Sequence, residues 1–88
     1  KDPRDFYAMQ FHDPDCNRGF FQVVANTQCE AGCFTACLQG LEPDTLYRLI
    51  DWENGRIMHR KGQDMADGIP VWLPKRTGVI WFYQKEGS

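Results

Sequence analysis

The sequence predicts a mainly β domain, a small antiparallel sandwich or barrel of six to seven short strands stapled by two disulfides. Three observations predict it. Short runs rich in aromatic and β-branched residues recur along the chain, separated by Gly, Pro, Asn and Asp. Asn54-Gly55 stands between two such runs, the strongest short-range hairpin signal. Four cysteines, Cys16, Cys29, Cys33 and Cys37, fall within 88 residues. At that length residues 1–88 form one domain, which hides only about 60% of its extended-chain surface and gains from staples. A hydrophobic content of 42% and an aromatic content of 14% supply a core.

Taken in order, Phe6 to Phe11 reads as a first strand, ended by the turn residues His12-Asp13-Pro14-Asp15. Gly19 to Ala25 is a second strand, and Asn26 to Gly32 a turn region. Cys33 to Leu38 fits a short strand or one helical turn, which period alone does not separate. Leu41 to Asp44 is a connection.

Thr45 to Glu53 and Arg56 to Lys61 flank the Asn-Gly pair. A two-residue loop there pairs Glu53 with Arg56, Trp52 with Ile57, Asp51 with Met58 and Ile50 with His59. Paired residues share a face. Leu46, Ile50, Trp52, Ile57 and His59 form the expected core face. Leu49, Asp51, Glu53, Arg56, Met58 and Arg60 form the half-wet one.

Gly62 to Gly68 reads as a polar loop. Ile69 to Leu73 and Val79 to Tyr83 are the last strands. Pro70 cannot donate to a ladder, which makes its strand an edge. Val79 to Tyr83 is apolar on both faces, the mark of a central or doubly covered strand. So small a domain does not hide both faces. Either Ile80 and Phe82 or Val79, Trp81 and Tyr83 are expected to be partly exposed.

An even cysteine set in a short chain favours disulfides and an oxidising compartment, hence secretion. On that expectation the chain is a mature form whose leader has been removed. The spacing fits poorly with a structural zinc site, which uses two short-spaced ligand pairs. On one continuous helix Cys29 and Cys37 would stand about 12 Å apart, beyond disulfide reach. Full oxidation therefore requires a break, expected at Gly32. Four cysteines allow three pairings, of which Cys16–Cys37 with Cys29–Cys33 is preferred. The longer bridge would contribute about 3 kcal/mol through loop closure.

The net charge is −2 with a pI near 5.5, which makes nucleic acid an unlikely partner. Residues 1–44 are net acidic and 45–88 net basic. No run approaches the roughly 20 apolar residues of a membrane helix. The sequence holds no G-x-S-x-G, P-loop or G-x-G-x-x-G motif, so neither catalysis nor a cofactor is expected. His12 reads as a solvated turn residue and His59 as a partly buried structural one. The surplus aromatics near the end of the chain suggest a binding patch beside two bases: Trp72, Lys75, Arg76, Trp81 and Tyr83.

Gly40-Leu41-Glu42-Pro43-Asp44-Thr45-Leu46-Tyr47 resembles the L-x-P-x-T-x-Y corner of fibronectin type III domains, and is read as a local tyrosine corner. In size, cysteine count and strand density the whole chain resembles the small secreted cysteine-containing proteins of plant-pathogenic fungi. That resemblance implies an effector or toxin that binds a host protein through an exposed strand or charged surface. A small secreted ribonuclease-like hydrolase and a carbohydrate-binding module that holds a glycan on its tryptophans are the alternatives.

Overall fold

The computed structural model describes the backbone of residues 6–25, 32–73 and 78–87, and the side chains of residues 7–24, 35–71 and 78–87. Among the described residues seven strands and one short helix follow in order: β1 (Phe6–Asp13), β2 (Arg18–Ala25), β3 (Gly32–Ala36), β4 (Leu46–Asp51), β5 (Ile57–Lys61), α1 (Gly62–Asp67), β6 (Ile69–Leu73) and β7 (Gly78–Lys85). β1, β2, β7, β4 and β5 form, in that order, a five-stranded antiparallel sheet, and β3 pairs with β6 in a second sheet. The fold is thus mainly β in two layers. It is no closed barrel, because β1 and β5 remain as edges of the larger sheet. Residues 33–36 are strand, which answers the question left open for that run. No helix among the described residues is long and apolar enough to cross a membrane.

Alternation explains the larger sheet. On its inner face stand Phe21 and Val23 from β2, Tyr47 and Leu49 from β4, and Trp81 and Tyr83 from β7, all buried. Ala36, Leu38, Ile69, Val71 and Met65 close over them from the small sheet and α1. Burying a large apolar side chain contributes about 1.5–3 kcal/mol, and this cluster is where the chain obtains it. β7 lies at the centre, as expected, though only its inner face is covered among the described residues, and β6 is an edge strand, as Pro70 requires.

The hairpin differs from expectation twice. Ile50 pairs with Ile57, Leu49 with Met58 and Arg48 with His59, so the register is displaced by two and Trp52 to Gly55 form the loop. The Asp51 carboxylate is the reason. Its Oδ1 accepts the Glu53 N–H at 2.9 Å and the Asn54 N–H at 3.4 Å, while the Asp51 N–H donates to the Arg56 carbonyl at 2.8 Å. Gly55 then turns the chain at φ 75°, where a Cβ is unfavourable.

The second difference is facing. Tyr47, Leu49 and Asp51 point inward, whereas Leu46, Ile50, Trp52, Ile57 and His59 are exposed. Burying the expected face would have carried Arg48 into the core. Asp51 is tolerated inside because the turn N–H groups satisfy its carboxylate.

The expected polar loop at 62–68 contains the six-residue helix α1. Tertiary contacts hold it: Met65 is fully buried, the Leu38 N–H donates to the Met65 carbonyl at 2.9 Å, and the Gly62 N–H to the Thr45 carbonyl at 2.9 Å.

The tyrosine corner is present. The Tyr47 hydroxyl accepts the Glu42 N–H at 3.0 Å and donates to the Asn17 side-chain oxygen. It ties the 41–45 connection to the β1–β2 turn.

Cys16 and Cys37 are exposed free thiols, so the preferred Cys16–Cys37 bridge is not formed in this structure. Each sits on its own local framework: Cys37 follows β3 near the end of α1, with Sγ 4.0 Å from the Asp67 carbonyl, and Cys16 lies in the β1–β2 turn. Cys29 and the Cys33 side chain lie outside the described residues.

Candidate binding face

Two strands and a six-residue helix roof only one side of a five-stranded sheet. Among the described residues nothing covers the outer face of that sheet, and it is strongly apolar. Antiparallel register places Phe11 beside Phe20, Phe20 beside Phe82, Phe82 beside Ile50, and Ile50 beside Ile57. These five residues form one ladder across every strand of the sheet. Phe11 stacks on Phe20 at 6.0 Å and Phe20 meets Phe82 at 5.8 Å between ring centroids. Trp52, from the hairpin loop, meets Phe82 edge-on at 5.5 Å.

Every large hydrophobic residue that is exposed among the described ones lies on this face: Tyr7, Met9, Phe11, Leu46, Ile50, Trp52, Ile57 and Phe82. Their exposure runs from 39% at Phe82 to 72% at Trp52. Scattered single residues of this kind are ordinary, but a contiguous belt marks an interaction surface.

A polar ladder borders the apolar one. Asp13 pairs with Arg18, Arg18 with Gln84, Gln84 with Arg48, and Arg48 with His59. An open groove of about 440 Å³ lies where the two ladders meet, lined by Phe11, Phe20, Ile50 and Phe82 on one side and Arg18, Arg48 and Gln84 on the other. A second depression of about 560 Å³ lies beyond Phe82, lined by Gln22, Val24, Trp52 and Ile80.

The charges along the polar ladder are unequally tied. For Asp13, burial acts to raise the pKa. Hydrogen bonds from the Asp15 N–H and from the thiol and backbone of Cys16, with the Arg18 charge, outweigh it and leave the pKa lowered. His59 Nε2 lies 3.2 Å from Glu86 Oε1, both side chains nearly half exposed. Arg48 has no ion-pair partner among the described residues.

Two residues of the sequence-predicted patch are not at the surface. Trp81 and Tyr83 are buried, at 8% and 2% exposure, because the odd positions of β7 point under the small sheet. Of the two alternatives for that strand, the structure exposes Phe82 and leaves Ile80 half-buried. Lys75 and Arg76 lie outside the described residues, as does the Trp72 side chain, whose backbone pairs with Cys33 in the small sheet.

The histidines are also placed differently from expectation. His59 is exposed on the outer face rather than partly buried. His12 is half-buried instead of solvated. Its Nδ1 lies 3.0 Å from the Tyr83 hydroxyl and its ring stacks on Tyr83 at 5.9 Å. The Gln10 amide donates to the same hydroxyl at 3.0 Å and to the Gln39 carbonyl at 2.9 Å. This cluster fastens β1 to the segment after β3. Among the described residues no group of His, Cys, Asp and Glu is assembled to hold a metal.

Sequence reasoning missed Phe11, Phe20, Arg18, Arg48 and Phe82 as a set. The signal was present in part, since Ile50, Trp52 and Ile57 had been grouped on one hairpin face. No family model matches the chain, and no curated protein matches its sequence.

Proposed function

We propose that this domain is a protein-binding module whose docking surface is the outer face of the five-stranded sheet, acting by association with a target protein rather than by catalysis. One observation carries the reading: all the large hydrophobic residues exposed among the described ones gather on that face, bordered by a polar ladder. An apolar centre with a polar, arginine-bearing rim has the composition of protein interfaces. The cysteine count supports a secreted, effector-type setting, with a host protein as the target.

The test is residue-specific photocross-linking. A benzophenone side chain is placed at Ile57 on the outer face and, as a control, at Ala66 on the exposed side of α1. Adducts with protein are expected from the first position and not the second. Equal labelling from both, or none from Ile57, removes the face from consideration.

A further inference from the structure

Resting on that reading, we infer that the face receives an extended segment of the partner that alternates downward-facing side chains in the order apolar, apolar, acidic. Three rows of the sheet define the order. Along β7 the outward positions are Ile80, Phe82 and Gln84. Ile80 lies beside Trp52, whose N–H donates to its carbonyl at 2.9 Å. Phe82 lies between Phe20 and Ile50, and Gln84 between Arg18 and Arg48.

Successive outward residues of a strand are about 6.8 Å apart, two rises of 3.4 Å. A partner strand laid over the sheet has the same repeat, and packed sheets run nearly aligned. Where it runs in the direction of β7, its residues i and i+2 meet the Ile80 and Phe82 rows, and its residue i+4 meets the arginine row. Arg18 and Arg48 stand on the strands either side of β7, about 10 Å apart at the backbone, so their long side chains reach one carboxylate over Gln84 from both sides.

Charge selects the acidic residue. The chain carries −2 overall, yet the outward positions of the sheet carry Arg18, Arg48 and Lys61 against Asp13 and Glu86, a net +1 with histidine neutral. The charge of Asp13 acts on Arg18 and Glu86 is held at His59, which leaves Arg48 the cation of the polar ladder best able to accept a new partner.

The probe is a fluorescent peptide containing Leu-Thr-Phe-Thr-Glu, compared with the same peptide ending in Lys, by anisotropy at low and high salt. The Glu peptide is expected to bind at least ten times more tightly than the Lys peptide, with the preference fading in salt. The double variant Arg18→Glu with Arg48→Glu should reverse the preference while its melting temperature stays within a few degrees, because both side chains are exposed. Phe82→Thr should weaken both peptides alike. Equal affinity for the two peptides overturns the inference, as does an unchanged preference in the double variant. Tighter binding of oligouridine overturns it in favour of nucleic acid, and a concentration-dependent dimer that Phe82→Thr dissolves overturns it in favour of a second copy. Cross-links at Ile57 without peptide preference would refute the acidic segment and leave the protein-binding face standing.

Discussion

Tyr83 shows how much one side chain can settle. Its hydroxyl lies in reach of Gln10 and His12 and donates to the Phe11 carbonyl at 3.3 Å, while its ring meets Tyr47 edge-on at 5.9 Å. Burial raises its pKa above the usual phenol value of 10.0; the Gln10 hydrogen bond opposes this and the nearby Tyr47 adds to it. The folded state thus favours the neutral phenol. Its contribution to stability is complete below the unfolded pKa, near 10, and is lost as pH rises through the folded value. Tyr83→Phe should flatten the alkaline limb of the stability curve above about pH 10 and cost about 1–3 kcal/mol at neutrality, read by urea unfolding across pH. The tyrosine corner at Tyr47 was legible in sequence, because the bond from the Glu42 N–H to its hydroxyl joins residues five apart. The surroundings of Tyr83 were not, because Gln10 and His12 reach it from more than seventy positions away.

At the scale of elements, what the sequence showed well was existence and position. Ile69 to Leu73 is β6 to the residue, and Asn54-Gly55 does mark a hairpin. What it did not show was facing. Leu46, Ile50 and Ile57 are as apolar as Tyr47, Leu49 and Met58, so alternation identifies two sets without saying which lies under the roof. Register is a separate matter, and it rests on Asp51, whose carboxylate holds the turn. Asp51→Ala should cost about 1–3 kcal/mol by chemical denaturation, since it leaves the turn N–H groups of Glu53 and Asn54 without their acceptor. Unaltered stability would show that Gly55 alone sets the loop. α1 was hidden for a related reason: six residues with one buried methionine have no helical periodicity to read, and packing rather than propensity makes them helical.

For the whole molecule, the mismatch between five strands and a roof of two strands and a short helix governs everything exposed. The expectation that β7 could not hide both faces came from domain size, and it was the part of the exposed apolar face that the sequence did reveal. The choice between its two faces depended on where β3, α1 and β6 lie, which no local pattern records. The free thiols are a property of the same scale. Cys16 and Cys37 are exposed, and a thiol reagent should titrate both in the native protein without denaturant. Failure of both to react would show that the Cys16–Cys37 bridge forms in solution.

The position of β7 has a kinetic consequence. It is the latest strand in chain order, yet it sits in the middle of the larger sheet. The β1–β2 and β4–β5 hairpins form from near neighbours, but neither has a common partner until residues 78–85 arrive. On a ribosome, the apolar sides of both hairpins must wait bare for that strand. Closure of so distant a pairing places folding on the slow, millisecond-to-second side of small domains, where a chaperone can intervene.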